Sequence, residues 1–116
     1  MASLSTNGHE QAGAIELGAL DLYDAHGLFL GRITLEGDRH MLALDLRTIL
    51  PLLIASSCTA VILRHHHPSG NAAPSRADIT TTRRFANLLE LLDIRLHDHL
   101  IEASRGQFSF RAEGLI

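Results

Sequence analysis

The feature that most constrains the fold is Thr59-Ala60-Val61-Ile62-Leu63, a short apolar run that ends at Arg64 and three consecutive histidines, His65-His66-His67. A run of this kind reads as a strand buried on both faces, which requires flanking strands and covering helices. Pro68-Ser69-Gly70 breaks it, and the loop continues from Asn71 to Pro74.

The rest of the chain supplies those neighbours. From Ala14 to Tyr23 apolar and polar residues partly alternate, the pattern of a first strand. Asp24-Ala25-His26-Gly27 carries turn chemistry, with Gly27 free to take a positive φ, and Leu28 to Leu35 returns as the second strand of a hairpin. Gly37 and Asp38 open an irregular connection. Leu46, Ile49, Leu50, Leu53 and Ile54 recur at helical spacing between Asp45 and Ala55, so Pro51 predicts either a kink or a later helix start. Ser75 to Leu92 is the clearest helix, with Ile79, Phe85, Ala86, Leu88, Leu89 and Leu92 on one side. Strands follow near 94–103 and 107–111, separated by Ser104-Arg105-Gly106. The order β-β-α-β-α-β-β predicts an α/β (α+β) domain over residues 14–116, a single mixed sheet flanked by helices, after a flexible leader at 1–13.

Composition removes several function classes. The ten basic residues are all arginine and face thirteen acidic ones, a formal charge of −3. Without a basic face, DNA remains a possible but disfavoured partner. Arg76, Arg83 and Arg84 read as solvating one helix face. No apolar run approaches the ~20 residues of a membrane span. The polar stretch Met1 to Gln11 lacks the basic start and apolar centre of a secretory signal, so a cytoplasmic protein is expected. Cys58 is the single cysteine, read as a small, inert, semi-buried thiol. One cysteine excludes an internal disulfide, a cysteine-based zinc knuckle and the Pro-Cys-x-x-Cys element of zinc nucleobase deaminases. Nothing in the residues addresses oligomeric state.

Eight histidines stand in 116 residues, and spacing sorts them. At a strand end alternate side chains share a face, so His65 and His67 point one way and His66 the other. After seven intervening residues His67 is followed by Ser75, and three positions later by Asp78. Ser-x-x-Asp before an apolar run is also a helix N-cap with an acidic first turn, and the two readings are compatible. Together, two neutral imidazoles and one carboxylate leave the fourth tetrahedral position of Zn²⁺ open.

His65-His66-His67-Pro68-Ser69-Gly70, Pro74-Ser75-Arg76-Ala77-Asp78-Ile79 and Thr82-Arg83-Arg84 resemble the RadC-like branch of the JAB/MPN (JAMM) metalloprotease-fold family. The similarity continues through Leu91-Leu92-Asp93-Ile94-Arg95-Leu96, Asp98-His99-Leu100-Ile101 and Phe108-Ser109-Phe110, covering about residues 15–112. The resemblance implies a cytidine-deaminase-like JAB/MPN fold, standing alone without the family's N-terminal helical region. It also implies zinc held by His65, His67 and Asp78, with Ser75 helping to hold a tetrahedral oxygen. Glu16, eight residues before Asp24, takes the place of the family's catalytic glutamate, although by itself it reads as an edge-strand charge. The implied activity is metal-assisted hydrolysis of a peptide or isopeptide bond, with a peptide or protein as substrate. A catalytically idle protein- or DNA-binding module is the alternative. Asp98, or the backbone, is a candidate for orienting a ligand imidazole, and His97 and His99 read as structural or surface residues. Three departures bear on the substrate groove: His66 replaces a usual Asn, Leu46-Arg47-Thr48 a typical Pro-Arg-Glu, and Arg64 a small residue.

Overall fold

A computed structural model describes residues 3–5, 16–36 and 44–116, with side chains for 18–36 and 44–116. Its elements in chain order are β1 (Ser3–Ser5), β2 (Glu16–Tyr23), β3 (Phe29–Glu36), α1 (Leu46–Ser56), β4 (Ala60–His66), α2 (Arg76–Glu90), β5 (Arg95–Ala103) and β6 (Gly106–Ser109). They form one six-stranded sheet in the order β1-β3-β2-β4-β5-β6. Only β4 and β5 run parallel, joined through α2 as a parallel pair requires; the other pairings are antiparallel. The sheet is therefore mixed, as the element order predicts.

The β2–β3 hairpin closes where expected. Gly27 sits at φ 78°, and Asp24 Oδ1 accepts the backbone N–H groups of His26 and Leu28. One addition comes from the expected leader, where Ser3–Ser5 pairs with Arg32–Thr34 of β3. The rest of that segment, Ala14 and Ile15 of the expected first strand, and Gly37 and Asp38 lie outside the described residues.

Both helices cover the same face of the sheet. Ile49 and Leu53 of α1 and Phe85 and Leu89 of α2 share one core with Leu20, Leu22, Ile33, Leu35, Val61, Leu63 and Leu96. Each such buried aliphatic chain contributes about 1.5–3 kcal/mol, enough to set which face turns inward. This corrects the expectation that β4 is buried on both faces. Val61, Leu63 and His65 are buried, but Ala60, Ile62 and Arg64 on the outer face are only half-buried. The apolar character of Ala60 and Ile62 reflects partial shielding on that side rather than a second helical layer.

Helix α1 starts at Leu46 and runs through Pro51, which removes the later-start alternative. Pro51 is exposed, so the helix gives up one backbone donor at its solvent side. Helix α2 is shorter at its C-terminus than the periodicity predicts: Leu91 caps it and Leu92 is exposed. Its buried stripe is Thr82, Phe85 and Leu89, spaced three and four residues apart. Arg76, Arg83 and Arg84 are exposed on its far side, as expected.

Candidate metal centre

The candidate cluster lies at the C-terminal end of β4. Alternation along the strand carries Val61, Leu63 and then His65 to the inner face, while His66 turns outward and is exposed. The backbone N–H of His67, just past the strand, donates to the Glu102 carbonyl of β5 (3.0 Å), so the loop leaves the sheet still tethered.

Helix α2 brings the carboxylate. Its N-terminus is a complete capping box: Ser75 Oγ accepts the Asp78 N–H (3.0 Å), and Asp78 Oδ2 accepts the Ser75 N–H (2.8 Å). Asp78 is thereby fixed with one edge toward the histidines. Its Oδ2 lies 3.4 Å from His67 Nε2, and its Oδ1 lies 3.9 Å from His65 Nδ1. Ligand atoms of His65, His67 and Asp78 all lie within 4.8 Å of one another, a group able to hold a metal ion.

The donor chemistry fits a cation. His67 Nδ1 lies 3.0 Å from the Asn71 carbonyl oxygen, which can only accept, so Nδ1 carries the proton. In the neutral ring the Nε2 lone pair then faces Asp78 Oδ2, two acceptors confronting each other unless a cation or a proton joins them. His65 Nδ1 is fully buried without a hydrogen-bond partner among the described residues, a costly state for a polar atom. Burial pushes the His65 imidazole down to about 4 against the opposing pull of Asp78, so the ring is a neutral donor near pH 7. Two imidazoles and a carboxylate are a donor set that can hold a metal cation.

The remaining sequence candidates divide. Ser75 is both helix cap and neighbour of the cluster. Its oxygen accepts from Asp78, and its O–H has no acceptor among the described residues. Glu16 begins β2, on the strand whose Gly18 pairs with His65; its side chain lies outside the described set. Asp98 does not orient a ligand imidazole. It is spent on the chain that closes the domain, accepting from the backbone N–H groups of His99 and Arg111 and from Ser109 Oγ (2.6 Å). Thr48 and Asp45, at the departure around Leu46, bond to each other at the start of α1 (2.8 Å).

The structure divides His97 and His99, which the sequence left together as structural or surface residues: His97 is exposed and His99 buried. A bulge opposite Val61 and Ile62 skips His97, so His99 and Ile101 turn inward beside Leu63 and His65. His99 is 1% exposed, and burial pushes its imidazole down to about 3. Its Nδ1 bonds Thr82 Oγ1 (2.7 Å), its ring stacks on Phe110, and its Nε2 is buried without a partner. The one signal in the sequence was the alternation His97-Asp98-His99, which marks a strand but not which imidazole faces in.

A cavity of about 680 Å³ opens at the other end of β4, beside Thr59, Arg83, Ile94 and Arg111, and shares no lining residue with the histidine cluster. No helix among the described residues is long and apolar enough to cross a membrane.

A family profile described as the RadC-like JAB domain matches residues 10–115. The UPF0758 protein YeeS of Escherichia coli is 35% identical over 101 residues, covering 87% of this chain and 68% of its own length. The UPF0758 protein YkfG of the same organism is 44% identical over 70 residues, 60% of this chain and 44% of its own length. A UPF0758 protein of Aliivibrio fischeri is 37% identical over 97 residues, 84% of this chain and 43% of its own length. The matched part is thus under half of YkfG and of the Aliivibrio protein.

Proposed function

The chain belongs to the RadC-like JAB domain family, and from that membership and the donor set of the cluster we propose that it is a zinc-dependent hydrolase of peptide or isopeptide bonds. One observation carries the reading: His65, His67 and Asp78 converge within 4.8 Å, with His65 Nδ1 buried and unpartnered. His65, His67 and Asp78 hold the ion. When bound, zinc supplies Lewis acidity and lowers the pKa of water toward ~7.

The chain's own residues do the rest. Glu16 takes the proton of the attacking water and returns one to the leaving amine. The Ser75 hydroxyl, oriented because its oxygen already accepts from Asp78, donates to the developing oxyanion. Asn71 keeps His67 in the tautomer that presents Nε2.

The substrate is a peptide or protein rather than DNA. Arg32 and Arg64 are tied to Asp21, and Arg83 and Arg111 bond main-chain carbonyls, so these four cations do not form a free phosphate-binding face. The proposed compartment is the cytoplasm.

Zinc reloading of metal-free protein, followed by elemental analysis, is expected to give about one ion per chain. Peptide-library cleavage is expected to vanish in Glu16→Gln while zinc content stays unchanged. A folded chain that takes up no zinc overturns the reading; so does cleavage indifferent to Glu16→Gln.

A further inference from the structure

His65 and His67 are held in different ways. His67 has the usual arrangement of a ligand imidazole, its second nitrogen donating to a carbonyl oxygen. For His65, Nδ1 faces Asp78 with no hydrogen bond of its own, and among the described residues no other polar contact fixes the plane of the ring. Its surroundings are rings. His67 packs edge-on against it (4.6 Å between centroids, 87°), and His99 stacks on it (5.8 Å, 25°).

His99 is itself immobilised on two sides. Phe110 stacks on it at 4.3 Å and 11°, so the His99 ring stacks with both Phe110 and His65. Thr82 Oγ1 bonds its Nδ1 at 2.7 Å. Thr82 lies four residues after Asp78 on α2, one turn along the same helix. The bond therefore ties the stack to the helix that presents the carboxylate.

We propose that His99 is a positioning residue for the metal centre, its ring stacked on His65 in place of the hydrogen bond that His65 lacks. The inference rests on the zinc-site reading above but concerns the ring itself, and it is testable without metal. Rotation of His65 about its χ2 would exchange Nδ1 for carbon in front of Asp78; a pinned neighbour in parallel contact opposes that rotation. The contribution comes from the shape of the ring, not from a proton that it transfers.

The test uses His99→Ala, which removes the ring, and the pair His99→Phe with Thr82→Val, which keeps the stack and replaces both ends of the buried bond by apolar groups. In metal-free protein, ring nitrogen and carbon resonances of His65 are read by NMR; in reloaded protein, zinc affinity is read by competition with a chelator. For His99→Ala the expectation is exchange-broadened His65 ring signals and zinc affinity lower by about 10–100-fold, the range for loss of a supporting contact around a metal site. The Phe/Val pair is expected to keep both properties near those of the parent. A His99→Ala chain that folds with sharp His65 signals and parental zinc affinity overturns the proposal. So does a Phe/Val pair that folds but shows broadened His65 signals in the metal-free protein, because the ring alone would then not suffice. If His99→Ala does not fold, the Phe/Val pair decides by that same criterion. A parent chain that binds no zinc defeats the functional reading, while the metal-free spectra still decide the role of His99.

Discussion

Buried polar groups occur on both faces of the sheet, and they are treated in opposite ways. On the outer face Asp21, 2% exposed, receives Arg32 Nη2 at 3.0 Å and Arg64 Nε at 2.8 Å, and Arg64 also reaches Glu102 at 2.8 Å. On the inner face His65 Nδ1 and His99 Nε2 are buried with no partner. Desolvation raises the Asp21 pKa, but the bonds and charges of its two arginines outweigh it and hold the carboxyl below its ordinary 3.8. A closed network explains itself as structure. The unpartnered His65 Nδ1 instead faces the Asp78 carboxylate, in a group that could hold a metal ion.

Adding zinc should separate the faces most strongly. At a hundred to a thousand times Kd, zinc is expected to stabilise the parent by about 3–4 kcal/mol, and to leave His65→Ala and Asp78→Asn unmoved in the same thermal-melt series. Equal zinc shifts in parent and His65→Ala would erase the distinction between the faces. Breaking the outer network comes next. Asp21→Ala leaves two arginines facing each other; because both are about one-third exposed and can swing into water, the expected loss is about 2–3 kcal/mol in urea unfolding, at the low end for a broken buried pair. The zinc-induced increment in that variant should match the parent's.

Acid should resolve the faces by pH window in the metal-free protein. His65 and His99 stay neutral in the fold to about 4 and about 3, whereas unfolded imidazoles take up protons near 6.5. The unfolded state then binds more protons, so stability should fall as pH drops from 6.5 toward those folded values. Asp21 contributes in the other window: its stabilisation is present above 3.8 and lost as pH falls through its lower folded value. Denaturation curves across both ranges check this; a flat profile from 7 down to 4 would contradict the neutral histidines. The smallest effect belongs to Ser75→Ala, which removes one half of the capping box and should cost about 1 kcal/mol, measured by urea titration without metal.

Much of the site was legible because its parts are local. His65 and His67 share a face through strand parity, and Ser75 with Asp78 reads as a helix start whether or not it serves a metal. The hairpin around Gly27 was legible for the same reason, since turn chemistry is set within a few residues. Asp98 was misjudged because a carboxylate next to an imidazole in sequence says nothing about Ser109 and Arg111, which fold back onto it from the following strand and the turn after it. Two-sided burial of β4 was overread because Ala60 and Ile62 carry no mark of which face the helices occupy.

His99 shows where the division falls. Alternation counted from buried Leu96 would send His99 outward; the bulge that skips His97 reverses the parity and places it against His65. The sequence by itself determined the element order from β2 onward, the pairing of His65 with His67, and the cap that aims Asp78, because each follows from periods of two or 3.6 residues and from side chains within one turn. Only the tertiary structure decided that both helices share one face, that Asp21 is closed off by Arg32 and Arg64, and that His99 stands behind His65. Those outcomes depend on register between strands distant in the chain, where a single unpaired residue changes which side chains meet.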